Sequence, residues 1–423
     1  MNKMIQKFGQ TVEDKIEAHP RQARALLKAG YAYSGMQAKY FSDNRLLSHQ
    51  KYASFTGNQT IRDALCNPEN SAVINIFFPC ELLYAMDIIP QFVEGLATYL
   101  KGAAAERGFI DAAEDAGIPK TYCSYHKTLL GAAFANVLSK PLLVLNTTHV
   151  CDANTMTFRS LADHWQALHY VIDVPNDYSM EAIDYIANQL RQMVKFITDN
   201  TGRKLDEAKL QEIIQCENRS LEMYRKYFNV LADKFIPNGL TAEMNKLFFT
   251  HILLGTPQAE QYFSQLLDDA GKAAACNGEI RILWAHTLPF WQKSISSVFN
   301  FSDKYQLLCS DMNFDYLSGM DEYHPYESLA CKMLQNSMCG SAQKRNNRLL
   351  EMATMLHADG VIYFNHWGCK QTMGGCLAAK EMLERADIPT LILDGDGCDS
   401  RNINDGQMHT KLQAFLEMLE AGK

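Results

Sequence analysis

Cysteine is the residue type in this sequence with the most chemistry to offer. Twelve occur in 423 residues, too few for a disulfide scaffold, and in a reducing compartment they would stand as thiols or metal thiolates. In open parallel sheets, ligands gather beyond the carboxyl ends of the strands, where loops converge and helix N-termini offer backbone donors. Five cysteines fall at such places. Cys80 lies two residues past an apolar run ending at Phe78, Cys151 follows LLVLNTTHV, Cys309 ends YQLLC, Cys369 closes VIYFNHWGC, and Cys398 closes LILDGDGC. Cys123, in TYCSYHKTLLGAAF, precedes a small-residue helical run whose first N–H groups would favour a thiolate. Cys339 stands in a comparable loop, NSMCGSAQKRNN, and Cys376 follows Cys369 with Gly374 and Gly375 read as a flexible pair between them. Cys216 and Cys331 fall on helical patterns, and Cys66 and Cys276 lie away from any strand end.

A free cysteine is ordinarily a small buried hydrophobe. Cys80, Cys123 and Cys369 are set apart from that rule, because polar loops flanked by Gly or Pro are poor places to hide an inert thiol. Soft thiolates scattered along a chain suit zinc or iron–sulfur clusters. The lack of any Cys-x2-Cys pair weakens structural zinc and leaves a cluster assembled from distant loops. His126 and His366 adjoin candidate cysteines and could donate protons or hydrogen bonds to sulfur, and Ser124 is a third candidate proton donor by position. His164, His169 and His251 read as packing or surface residues on helical patterns.

Other motifs fail. Gly395-Asp-Gly397-Cys-Asp-Ser400 is one glycine short of a dinucleotide fingerprint, and Asp394, Asp396 and Asp399 would repel a pyrophosphate. The glycines from Gly368 to Gly375 lack the spacing and the Lys-Ser/Thr of a phosphate loop, so no nucleotide site of the chain's own is expected. Neither a Gly-x-Ser-x-Gly elbow nor a His-Glu-x-x-His zinc helix occurs.

The elements that must position these residues read as α/β. Short β-branched or aromatic runs at Val73–Phe78, Leu142–Leu145, Ile280–Trp284, Tyr305–Leu308, Val361–Phe364 and Leu391–Leu393 alternate with helical patterns, the mark of βαβ units and parallel sheets. Residues 1–65 read as a helical N-terminal arm, 66–176 as a first α/β lobe, 177–275 as a helical connecting region without strand-like runs, and 276–423 as a second α/β lobe. The two lobes could be distant structural copies. A net charge of -8, with no basic run interleaved with aromatics, argues against nucleic acid. The first twenty residues carry charge throughout and no stretch of about 18 uncharged apolar residues occurs, so a cytoplasmic protein without a membrane partner is expected.

Together, FFPCELLYAMDIIP, TYCSYHKTLLG, HVCDAN, KRNNRLLEMATMLHADGVIYFNHWGCKQTMGG and IPTLILDGDGCDSRNINDGQMHTKLQAFLEML resemble the 2-hydroxyacyl-CoA dehydratase and benzoyl-CoA reductase superfamily. The resemblance implies two lobes, each similar to a doubly wound sheet of Rossmann or flavodoxin type, with iron–sulfur clusters in the cleft. It also implies a separate dimeric iron–sulfur activator that hydrolyses ATP and delivers one electron at very low potential. In dehydratases of the superfamily that electron makes a ketyl radical from the thioester carbonyl, so that an unactivated hydroxyl can leave.

By motif, Cys80, Cys123 and Cys369 resemble the three ligands of a 4Fe–4S cluster. Cys339, Cys376 and Cys151, in that order and with Cys398 in reserve, could supply three more. Six would be similar to the double-cubane branch, an 8Fe–9S cluster on a homodimer that reduces small recalcitrant substrates. The leading expectation is therefore a double-cubane reductase. The alternatives are a dehydratase subunit with one 4Fe–4S cluster beside a sister subunit, and a non-catalytic electron carrier. Asn365 and Trp367, with Phe364 and His366, would tune such a cluster, and Lys127, Lys370 and Arg401 would offset its charge. Arg401 could equally pair with Asp394, Asp396 or Asp399.

Overall fold

A computed structural model describes residues 3–423. Eight strands form two four-stranded, wholly parallel sheets. The first holds β1 (Ser71–Ile74), β2 (Ile89–Phe92), β3 (Leu143–Thr147) and β4 (Leu168–Ile172) in the order β2-β1-β3-β4. A two-residue antiparallel ribbon, β5 (Lys234–Phe235) with β6 (Ala274–Ala275), follows in the chain. The second sheet holds β7 (Ile280–Ala285), β8 (Tyr305–Ser310), β9 (Gly360–His366) and β10 (Thr390–Gly395) in the order β10-β9-β7-β8. Numbered within its own lobe, each sheet runs second, first, third, fourth, so the lobes are topological copies. Each reverses winding between its first and third strands, the place where open α/β sheets bind ligands.

The central strands are buried on both faces, as parallel sheets flanked by helices require. The strands absent from the sequence reading, β2 and β4, are both sheet edges. β2 carries Pro90 and Gln91, and β4 carries His169 and Tyr170 on partly exposed positions. His169 thus lies on a strand, where a helix was expected. The region 177–275 is helical as expected apart from the β5–β6 ribbon, which is too short to leave a period in the sequence. Gly374 and Gly375, read as flexible, lie inside the helix Lys370–Glu384, which also carries Cys376. A Cβ at Gly375 would lie 3.3 Å from the Ala342 side chain, so this glycine permits close packing against the helix Ala342–Met355.

The N-terminal helices Pro20–Tyr40 and Ser48–Cys66 pack on one another, and the second packs on the helix Pro257–Lys272 of the connecting region. His49 is held there by Asp269 at 2.8 Å. A buried group ties the connecting region to both lobes: Lys332 of the second lobe bonds Glu81 of the first at 2.5 Å and Glu217 of the connecting helix Glu207–Leu231 at 2.7 Å. One hydrophobic core accordingly runs from the first sheet through the connecting helices into the second lobe. No helix among the described residues is long and apolar enough to cross a membrane.

Candidate functional site

Cys123, Cys151 and Cys369 occupy one and the same position in three different helices. Each is the N-cap residue, of Ser124–Phe134, Asp152–Trp165 and Lys370–Glu384 respectively. Cys151 follows the third strand of the first sheet and Cys369 the third strand of the second, so these two thiols are topological counterparts. The three lie within electrostatic reach of one another: Cys369 acts on both Cys123 and Cys151, and Cys151 on Cys123. Burial first, then the neighbouring thiols, hold Cys123 well above the usual thiol range. Burial and then Cys369 push Cys151 up to about 12. Backbone N–H groups work the other way, that of His126 on the Cys123 sulfur and those of Ala153 and Asn154 on Cys151. Cys123 is buried and Cys151 and Cys369 are half-buried, and a helix N-terminus behind a thiol favours the thiolate when a soft cation arrives.

Local geometry holds the three loops in place. Gly368 has φ +81°, and a Cβ there would lie 3.0 Å from Cys123 Cα, Cys123 N and the Tyr122 carbonyl oxygen. Only glycine lets the loop carrying Cys369 approach Cys123 so closely. Asn75, just past β1, accepts the Thr147 N–H at 2.9 Å and donates to the His149 carbonyl at 3.2 Å, which fixes the loop leading to Cys151.

His366 lies among these thiols. Its Nδ1 accepts the Gly397 backbone N–H at 3.0 Å, so the ring proton sits on Nε2, which faces Cys123 Sγ at 3.5 Å and donates to it. Burial lowers its pKa and keeps the ring neutral. Ser124 donates to Asp396, which also accepts the backbone N–H groups of Cys398 and Asp399 at 2.9 and 2.8 Å. Ser124 therefore binds the first lobe to the loop after β10. His126 is buried, its Nδ1 has no partner among the described residues, and burial lowers it to about 4.

Cys80 opens the helix Cys80–Ala85, and the groups acting on it are Glu81, Lys332 and Glu217, a different set from the three thiols above. Cys398 is buried against Thr128 and packs with Cys123 around Tyr125. Cys376 acts, as Cys369 does, on the phenol of Tyr363. Cys339 donates to the Pro175 carbonyl at 3.6 Å and lies near Lys344. Cys309, at the end of β8, faces Tyr224 in the core. Lys127 is buried and paired with Glu114 at 2.7 Å, and Arg401 bridges Asp399, Asp111 and Glu114, so the charge of each is already matched by carboxylates. Asn365 donates to Asp394, while Trp367 and Lys370 are exposed beside Cys369.

Two histidines stand out that the sequence reading passed over. His149, two residues before Cys151, is buried and stacked on Phe77 at 5.1 Å. Neither of its ring nitrogens has a partner among the described residues, and burial lowers it to about 3. His286 follows β7, is held by its N–H to Asp311 at 2.7 Å, and leaves Nε2 unpartnered 6.0 Å, ring to ring, from His366. Both follow strand ends, so the rule used for the cysteines would have found them.

The donor set fits an iron–sulfur cluster. Among the described residues, no three His, Cys, Asp or Glu side chains could hold a single metal ion. A cluster asks for something else, thiolates spread around several irons with N–H donors to sulfur; Cys123, Cys151 and Cys369 offer three such thiols at helix N-termini, with backbone N–H groups acting on the first two.

The family of the 2-hydroxyglutaryl-CoA dehydratase D-component matches residues 75–419. The chain belongs to this family. It is 21% identical to the (R)-phenyllactyl-CoA dehydratase alpha subunit of Clostridium sporogenes, over 82% of this chain and 88% of that one. It is 24% identical to the lactoyl-CoA dehydratase subunit alpha of Anaerotignum propionicum, over 88% and 96%. The (R)-phenyllactyl-CoA dehydratase beta subunit of C. sporogenes is also similar, 23% identical over 90% and 99%. The D-component match takes in all three N-cap cysteines, His149, His286 and His366, and leaves outside it the N-terminal helices.

Proposed function

We propose that the chain is the cluster-bearing subunit of a 2-hydroxyacyl-CoA dehydratase-type enzyme, with a 4Fe–4S cluster on Cys123, Cys151 and Cys369. The observation that carries this reading is the convergence of three N-cap thiols from two lobes, in a chain whose relatives are dehydratase subunits. This reading replaces Cys80 by Cys151 in the first ligand set. The bound cluster would supply one-electron chemistry. The chain's own residues do the rest: the three helix N-termini offset the negative charge of thiolates and sulfide, and the His366 Nε2–H donates to the Cys123 sulfur. His149, His286 and His126 are buried and kept neutral, and each holds an open ring nitrogen that can hydrogen-bond a bound group. As the resemblance implies, the electron source is a separate ATP-hydrolysing activator, and a sister subunit completes the enzyme.

A second reading is the double-cubane reductase on a homodimer. It is favoured by Cys398, which shares Tyr125 with Cys123, and by Cys376, which shares Tyr363 with Cys369. Protein purified without oxygen and reduced by such an activator separates the two. Conversion of many molecules of a 2-hydroxyacyl-CoA to enoyl-CoA and water for each electron delivered supports the dehydratase, in which the electron is returned. Consumption of electrons in proportion to small unsaturated molecules reduced supports the reductase, and the failure of both outcomes refutes both readings.

A further inference from the structure

The helix Pro20–Tyr40 carries apolar side chains on two opposite faces. Ala23, Leu27, Tyr31 and Gly35 form one of them and are buried. At about 100° per residue, Gln22, Ala25, Ala29, Tyr33, Met36 and Tyr40 fall within about 80° of arc on the other side. All six are exposed. The charged side chains of the helix, Arg21, Arg24, Lys28 and Lys39, stand off this stripe, and Arg24 is bound to the Asn136 carbonyl at 2.8 Å. A helix that is apolar on both faces is ordinarily buried on both. Here Tyr33, Met36 and Tyr40 are 52, 56 and 66% exposed, and Phe41, which follows the helix, is 81% exposed.

The stripe is graded, small at its start with Ala25 and Ala29 and large at its end with Tyr33, Met36 and Tyr40. Such a gradient is complementary to its own reverse. In an antiparallel pair with its two-fold axis between positions 32 and 33, Tyr40 of each copy falls on Ala25 of the other, and Met36 on Ala29. A two-fold contact uses the same patch on both copies, and the alanines let the helix axes approach. At ~150–250 Å² for a whole aromatic side chain, the exposed parts of Tyr33, Met36, Tyr40 and Phe41 offer roughly 500 Å² per copy. With Ala25 and Ala29 added, two copies would bury roughly 1,200 Å², the lower end of specific interfaces. We propose that the outer face of the helix Pro20–Tyr40 docks a second copy of this chain in the antiparallel sense. The surface lies before residue 75, outside the D-component match. It goes beyond the proposed function, because neither the cluster nor a sister subunit takes part in it.

The test is sedimentation of the full chain, purified alone and without oxygen, over a range of concentrations. A reversible dimer with a micromolar or tighter Kd is expected. Met36→Asp and Ala29→Lys, both at exposed positions, should each weaken it at least about tenfold by placing an unpaired charge in the apolar contact, with helix and iron content kept. Within one copy the two positions stand about 10 Å apart along the axis, too far to pair with each other. Across the two-fold axis they face each other, so the two substitutions combined in one chain set a carboxylate of each copy against an ammonium of the other. The double variant should bind itself at least about fivefold more tightly than either single variant. The proposal is overturned if the natural chain stays monomeric, if its dimer is indifferent to Met36→Asp, or if the double variant is no tighter than the single ones. None of these outcomes depends on iron, so the proposed function stands or falls separately.

Discussion

Gly368→Ala is the most direct probe of how the thiols are brought together. The added Cβ would stand 3.0 Å from three backbone atoms of Tyr122 and Cys123, inside ordinary carbon contact distances of ~3.5–4.0 Å, on a residue with φ +81°. The left-handed backbone costs a non-glycine residue about 1–2 kcal/mol. Overpacking against atoms that cannot rotate away adds about 1–3 kcal/mol. The chain relieves a strain of about 2–5 kcal/mol by parting the loops of Cys123 and Cys369. At 1.4 kcal/mol for each tenfold, cluster retention should then weaken at least about thirtyfold. Gly374→Ala is the matched control, because a Cβ at that exposed helical glycine meets nothing within 4 Å and alanine favours the helix by about 1 kcal/mol. The assay is iron per chain after anaerobic reconstitution against a competing chelator, with Tm recorded on the same samples. Full iron retention and an unchanged Tm in Gly368→Ala would refute the reasoning.

Other perturbations follow from the same structure. Glu94 accepts the Ile76 N–H, and burial raises its pKa to about 7, so its proton contributes stability below the unfolded value of 4.5 that is lost as pH rises to 7. Glu94→Gln should flatten denaturant-measured stability over that window, where the natural chain loses up to about 3 kcal/mol. Lys332→Met leaves Glu81 and Glu217 buried without their cation. It should cost about 3–5 kcal/mol at pH 7 and less at pH 5, where the carboxyls can take up protons, as chemical denaturation at the two pH values will read. His366→Phe removes the N–H to the Cys123 sulfur. It should lower the reduction potential of the cluster in an EPR-monitored titration while iron content is kept.

The strand-end rule located β1, β3 and β7 to β10, and with them the loops that carry the chemistry. It missed β2 and β4 because edge strands need not be apolar on both faces; Pro90, Gln91, His169 and Tyr170 interrupt the run that marks a buried strand. The same rule treated Cys80 and Cys151 alike, since each follows a strand and precedes a helix. What separates them is the path of the chain across two lobes. Cys151 is an N-cap within electrostatic reach of Cys369, whereas Cys80 is the first residue of its helix, among Glu81, Lys332 and Glu217. Arg401 was legible in its second reading, as a partner of Asp399, and its bonds to Asp111 and Glu114 needed the fold.

The central claim is that Cys123, Cys151 and Cys369 hold one cluster. Iron and acid-labile sulfide per chain, measured without oxygen on the natural sequence and on Cys→Ser variants at these positions and at Cys80, test it most directly. The account predicts about four irons per natural chain, a loss of most of them in each of Cys123→Ser, Cys151→Ser and Cys369→Ser, and full retention in Cys80→Ser. Retention in Cys151→Ser together with loss in Cys80→Ser would contradict it.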